Sequence, residues 1–201
     1  MRILLATRNA KKLAELQRIL DSAPGVAGVT IVGMSDVDAY HEVPESGLTF
    51  AENALLKARE GAKHTGLATV ADDSGLAVDV MGGMPGIFSA RWAGRHGDDD
   101  ANLDLLLAQV ADVPDDALTA AFVCVAALAL PDGRSFTVAG RMPGHLVRAR
   151  RGTNGFGYDP IFVADRHTRT NAELSADEKD AISHRGQAFR GLAEVIAREL
   201  S

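Results

Sequence analysis

The sequence predicts an α/β protein built on a long mixed β-sheet flanked by helices. Strand-like apolar runs alternate with helical periodicity early in the chain, and hairpin signals dominate the middle. Hydrophobic residues make up 46% of the 201 positions, enough to bury a sizeable core. No repeat, low-complexity tract or linker divides the chain, so a single domain over 1–201 is expected.

The elements follow in order. "RILLA" (2–6) reads as a buried strand, and Leu13, Leu16, Ile19 and Leu20 mark one face of the helix after it. Pro24 and Gly25 end that helix, and "VTIVG" (29–33) is a short strand. Residues 34–48 are acidic and turn-rich. Thr49 and Glu52 have capping-box spacing, and Ala54, Leu55, Ala58 and Ala62 form an apolar stripe that stops at Gly66. "LATVA" (67–71) predicts a strand that breaks at "DDSG", and "LAVDV" (76–80) predicts another. Asp98 caps a helix through "DDDANLDLLLAQV", its acids favoured by the positive helix start. Residues 119–130 give the strongest strand signal. "PDG" turns the chain, "SFTVAGRM" returns, "HLVRA" adds a strand, and "IFVA" follows a glycine-rich loop. Ser175 and Glu178 form a second capping box, and Ser183 restarts a helix towards Leu200.

Composition excludes several classes of function. The net charge of −6 argues against a sequence-independent hold on nucleic acid, which needs a basic stripe. No apolar run reaches the roughly 20 residues that span a bilayer, so no membrane partner is expected. "MRILLAT" is too soon polar for a signal peptide. The one cysteine, Cys124, lies in an apolar run and supports neither a disulfide framework nor a cysteine-based zinc site. A protein of a reducing cytoplasm is the expectation.

Five constellations carry chemistry. In "ATRNAKK" (6–12) a strand turns into a helix whose first N–H groups attract anions. Lys11 and Lys12 sit where the helix dipole disfavours cations, which makes sense if a phosphate binds there. An ordinary Asn9 cap with two solvated lysines is the alternative. In "ADDSG", Asp72 and Asp73 repel unless something offsets them. A hard cation such as Mg2+ takes oxygen ligands, and the second acid then orients water or accepts its proton. A polar turn with both acids in water reads equally well. Glu45 is a third acid, in a long irregular segment of the kind that often carries function; a plain surface acid is the other reading. In "GTNGFGYDP" (152–160) glycines let a ligand approach, Phe156 and Tyr158 offer rings for stacking a base, and Asp159 adds an acceptor. A tight turn whose rings plug the core is the other reading. Lys179 suits a phosphate, and His184 and Arg185 suit base carbonyls; a solvated helical face is the other reading. On one continuous helix Lys179 and His184 would stand about 140° apart, so they converge only if the helix breaks near Ser183.

The order of these motifs is more specific than any one of them. "TRNAKK", "ESGLTFAENALLKA", "ADDSGLAVD", "GGMPGIFSAR", "GFGYDP" and "ISHR" together resemble the inosine/xanthosine triphosphate pyrophosphatase family, over residues 3 to about 195. The resemblance implies an elongated, two-lobed fold around a cleft, a homodimer, and Mg2+ as cofactor. It implies hydrolysis of deaminated purine nucleoside triphosphates (ITP, dITP, XTP) to the monophosphate and pyrophosphate. By motif, the run Thr7, Arg8, Asn9, Ala10, Lys11 and Lys12 meets the substrate, with Thr7, Asn9 and Lys12 on the triphosphate. Asp73 is the proton acceptor and a metal ligand, with Glu45 and Asp72 helping at the metal. Ser74 touches the substrate. Phe156, Gly157, Tyr158 and Asp159 line the nucleoside pocket with Lys179, His184 and Arg185. A nucleotide sensor without catalysis and a pyrophosphatase of modified pyrimidine nucleotides are the competing readings.

Overall fold

The structure, a computed structural model, describes all residues except Asn9, Gly25, Ala27, Glu42 and Ser201, and only the backbone of Ala10 and Lys11. Its elements are β1 (Arg2–Leu5), α1 (Ala10–Ser22), β2 (Thr30–Val32), α2 (Phe50–Thr65), β3 (Ala68–Val78), α3 (Asp99–Gln109), β4 (Thr119–Ala129), β5 (Ser135–Leu146), β6 (Phe162–Ala164), α4 (Ala176–Ile182) and α5 (His184–Leu200). The six strands form one mixed sheet in the order β2-β1-β3-β4-β5-β6. β1 runs parallel to both β2 and β3, and β6 runs antiparallel to β5. The mixed α/β architecture read from the sequence is therefore met.

Two compact units make up the chain. The first comprises residues 1–73, 124–140 and 185–201, and the second 74–123 and 141–184.

In the first unit, both faces of the sheet are covered. Leu16 and Leu20 of α1 and Phe189, Leu192 and Ile196 of α5 pack on Ile3, Leu5, Val70, Cys124, Ala126 and Leu128. Burying each such leucine, isoleucine or phenylalanine contributes about 1.5–3 kcal/mol. On the other face the buried residues of α2 are small: Ala54, Ala58 and Ala62 lie on Ala71, Val125, Ala127 and Ala129, with Phe50 and Leu55 packed at the side. Small side chains let the helix come close. At Gly61 an added Cβ would stand 2.7 Å from Thr69 Cγ2. Thr49 caps α2 by accepting the N–H of Glu52 at 3.1 Å, and Gly66 closes it in the left-handed region at φ 66°.

In the second unit the core gathers Leu76, Leu103, Leu106, Leu118, Phe122, Ile161 and Phe162. Asp98 accepts the N–H of Ala101 and caps α3 as expected. Ser175 and Glu178 form the expected capping box of α4, and the break at Ser183 separates α4 from α5.

Two expectations fail. β3 does not break at "DDSG" but runs on to Val78. Gly75 lets it continue, because an added Cβ there would meet Gly86 O at 2.3 Å and Ser89 Oγ at 2.4 Å. Ser89 Oγ in turn accepts the Leu76 N–H at 2.9 Å. "HLVRA" is likewise no separate strand. Burial alternates without interruption from Gly140 to Leu146, so the return strand continues as β5. The Pro143 carbonyl accepts the Asp165 N–H at 2.9 Å.

Candidate active site

An unbroken β3 sends successive side chains to opposite faces. Asp72 and Asp73 are both buried, and they meet different helices. On the face covered by α1 and α5, Lys12 Nζ lies 2.9 and 2.8 Å from the two oxygens of Asp72. Arg185 Nε, from the start of α5, is 3.4 Å from Asp72 Oδ2. Burial works against the Asp72 charge, but Lys12 and Arg185 outweigh it and hold the carboxyl well below the usual range. Cys124 Sγ is 4.0 Å from the same carboxylate, and burial with that neighbouring charge pushes its thiol far up.

On the α2 face, Lys57 Nζ donates to Asp73 Oδ1 at 3.2 Å and to Glu45 Oε1 at 3.1 Å. Asn53, one helical turn earlier and fully buried, donates to Asp73 Oδ2 at 3.2 Å. Burial raises the Asp73 carboxyl above its ordinary value. Lys57 opposes that rise and the Glu45 charge adds to it. Burial also disfavours the Lys57 charge, yet Asp73 and Glu45 together keep its ammonium on above the usual range.

Glu45 and Asp73 bring hard oxygen donors together around one ammonium, that of Lys57. That set suits a divalent cation such as Mg2+, which typically binds one or two carboxylates and completes its shell with water and substrate phosphates. Among the described residues no group of three or more His, Cys, Asp or Glu could hold a metal unaided. Water and substrate phosphates would supply the remaining ligands.

The second unit holds the glycine-rich loop. Asp159, buried, accepts from Phe156 N at 2.9 Å and from Lys179 Nζ at 2.5 Å through Oδ2, and from Asn171 Nδ2 at 3.2 Å through Oδ1. Gly157 N donates to Asp99 Oδ2 at 2.9 Å. Ala172 O takes the N–H groups of Thr153 and Asn154. Gly155 is required by close approach, since at φ 76° an added Cβ would stand 2.1 Å from Asp159 Oδ2. Two successive amides of this turn therefore face protein carboxylates, an environment that repels phosphate.

The two rings of the loop part company. Phe156 is 63% exposed, with Lys179 Nζ 5.3 Å from its ring centre. Tyr158, expected to offer a stacking face, is 4% exposed; its hydroxyl donates to Ser89 O at 2.9 Å. His184 is buried and stacks on Phe122, with ring centres 5.1 Å apart.

Thus Lys12, Asp72 and Arg185 come together, as do Glu45 and Asp73, while Asp159 gathers Phe156 and Lys179. Ser74 lies within β3, and Thr7 and Arg8 follow β1. The expected roles of Asn9 and of the Ala10 and Lys11 side chains lie outside the described residues. Three arginines that stand close in sequence before the glycine-rich loop pair with acids: Arg148 with Asp115, Arg150 with Asp100 and Asp104, Arg151 with Glu173. Sequence reasoning passed over Asn53 and Lys57. The available signal was two polar residues four apart, hence on one helical face, within an otherwise small and apolar stretch.

Residues 3–195 match the model of the Ham1 family. The chain belongs to the Ham1 family. This Ham1-family chain is 58% identical to a dITP/XTP pyrophosphatase of Corynebacterium glutamicum, the match covering 98% of each chain. It is 60% identical to one of Streptomyces coelicolor, over 99% of this chain and 98% of the other. Among solved structures it resembles a nucleoside-triphosphatase / dITP/XTP pyrophosphatase from Mycobacterium abscessus, at 60% identity and TM-score 0.83, covering 96% of this chain and 97% of that one. A HAM1 protein from Coxiella burnetii matches at 40% identity and TM-score 0.90, covering 98% of this chain and 99% of that one.

Proposed function

We propose that this Ham1-family chain is a pyrophosphatase that cleaves dITP, ITP and XTP between the α and β phosphates, releasing the nucleoside monophosphate and pyrophosphate. One observation carries the chemistry: two adjacent buried carboxylates are held on opposite faces of one strand, each by a lysine from a different helix. The names of the close relatives support the substrate class.

Each residue then has a task. Asp73, with its raised carboxyl, is the stronger base of the two acids, and its Oδ accepts the proton of the attacking water. Lys57 keeps Asp73 and Glu45 from repelling each other, and Asn53 fixes the Asp73 rotamer. Glu45 and Asp73 would hold Mg2+, which when bound supplies counter-charge to the phosphates and acidifies water. Asp72, engaged by Lys12 and Arg185, is less suited to the metal than Glu45. Lys12 meets the phosphate chain, with Thr7, Arg8, Asn9, Ala10, Lys11 and Ser74 assigned to the same end. Such a reaction rests mainly on positioning and electrostatics.

Base recognition falls to the 152–159 loop with Lys179, His184 and Arg185. Phe156 presents the ring for stacking. A donor from His184 or Arg185 to O6 of a 6-oxopurine would leave adenine mispaired, a loss of about 1–3 kcal/mol per unsatisfied buried group. Guanine shares O6 and N1–H, so its exclusion needs a penalty at the 2-amino group. The homodimer implied by the motifs belongs to the same reading, as does removal of deaminated purines from the cytoplasmic nucleotide pool. Sedimentation equilibrium checks the dimer.

A pyrophosphate-release assay with dITP, XTP, GTP and ATP, with and without Mg2+, tests the function. Metal-dependent release from dITP and XTP well ahead of GTP and ATP is expected. Equal rates on all four, or none on dITP, would refute it.

A further inference from the structure

Three consecutive acids, Asp98, Asp99 and Asp100, stand at the start of α3, where the sequence reads a cap at Asp98 and charges favoured by the helix dipole. The structure gives them three different partners. Asp98 stays local and caps the helix by accepting the Ala101 N–H. Asp100 pairs with the Arg150 guanidinium at the surface. Asp99 reaches across 58 residues of sequence, its Oδ2 accepting the Gly157 N–H at 2.9 Å.

That contact completes a clamp. The turn at 155–157 places Gly155 at φ 76° and Gly157 at φ 62°, so two successive amides, of Phe156 and Gly157, point at carboxylates. Asp159 takes the first and Asp99 the second. Both amides belong to the peptide groups that flank the exposed Phe156 ring. With both N–H groups fixed, the Phe156 backbone is held from both sides, and its ring stays under Lys179.

We propose that Asp99 is a positioning residue for base recognition: through Gly157 it sets the orientation of Phe156 towards the purine, without itself meeting substrate. This rests on the assignment of the loop to the base. A hydrogen bond to a charged acceptor is among the stronger kinds, so its loss should be read in affinity.

The test compares Asp99→Ala, Asp99→Asn and Asp98→Ala by KM for dITP, kcat, Tm and inhibition by inorganic tripolyphosphate, which reports on phosphate binding alone. Asp99→Ala should raise KM roughly tenfold, with kcat and tripolyphosphate inhibition within about twofold of wild type. Asp99→Asn keeps an acceptor oxygen and should restore most of the KM. Asp98→Ala should lower Tm through the lost cap and leave KM unmoved. Hydrogen exchange at the Gly157 amide should accelerate in Asp99→Ala, which reads the clamp without any activity. An unchanged KM and unchanged exchange in Asp99→Ala would overturn the proposal, as would a KM change tracked equally by Asp98→Ala. Wild-type enzyme that released no pyrophosphate from dITP would instead overturn the proposed function, with the exchange measurement still deciding the clamp.

Discussion

Asp72 and Asp73 share a peptide bond, yet their carboxylates bond to different cations on opposite faces of β3: Lys12 holds Asp72, and Lys57 holds Asp73. The repulsion expected of neighbouring acids is relieved by the pleat of the strand and by two separate ion pairs. The division also sorts their duties. Asp72 is kept ionised and occupied by Lys12 and Arg185, while Asp73 is raised by burial and by Glu45.

Lys57→Met tests the α2 half of that arrangement. Without the ammonium, Glu45 and Asp73 lose the cation that bonds to both. We expect kcat/KM for dITP to fall about 10²-fold, the scale of losing one electrostatic partner in an active site. Steady-state pyrophosphate release checks it, and a loss smaller than threefold would remove Lys57 from the mechanism.

Two glycine substitutions separate strain from function. Gly155→Ala suffers a left-handed backbone penalty of about 1–2 kcal/mol and a clash with Asp159, so both Tm and the KM for dITP should worsen. Gly66→Ala, at φ 66° with open space around it, carries the backbone penalty alone and should lower Tm while leaving KM unchanged. Thermal melts and initial rates on the same preparations give the comparison.

Cys124 yields a pH prediction with a definite sign. Burial and the Asp72 charge both disfavour the thiolate, so the thiol titrates well above its ordinary value. Thiolate is the reactive form, and at mildly alkaline pH, where a free cysteine is substantially ionised, Cys124 stays protonated. Native protein should resist iodoacetamide at such a pH for hours and react fully once unfolded. Rapid labelling of the native chain, followed by mass spectrometry, would contradict this.

Much of this was legible in the sequence because the signals are local. Thr49, Gly66, Asp98 and Ser175 announce helix ends through hydrogen bonds within four residues, and the structure places them there. The unbroken course of β3 was not legible, because what permits it is the approach of Gly86 and Ser89 to Gly75, a tertiary contact. Lys57 and Asn53 escaped notice for the same reason: their importance lies in facing Asp73, 16 and 20 residues further on. Tyr158 and Phe156 look alike in sequence, and only packing sends one ring inward and the other out.

The most direct test of the central claim is pyrophosphate release from saturating dITP with Mg2+ by wild type and by Asp73→Asn. The variant should still bind dITP but turn over about 10³-fold more slowly, the usual scale for losing a general base. Undiminished release by Asp73→Asn would show that this carboxylate does not accept the proton.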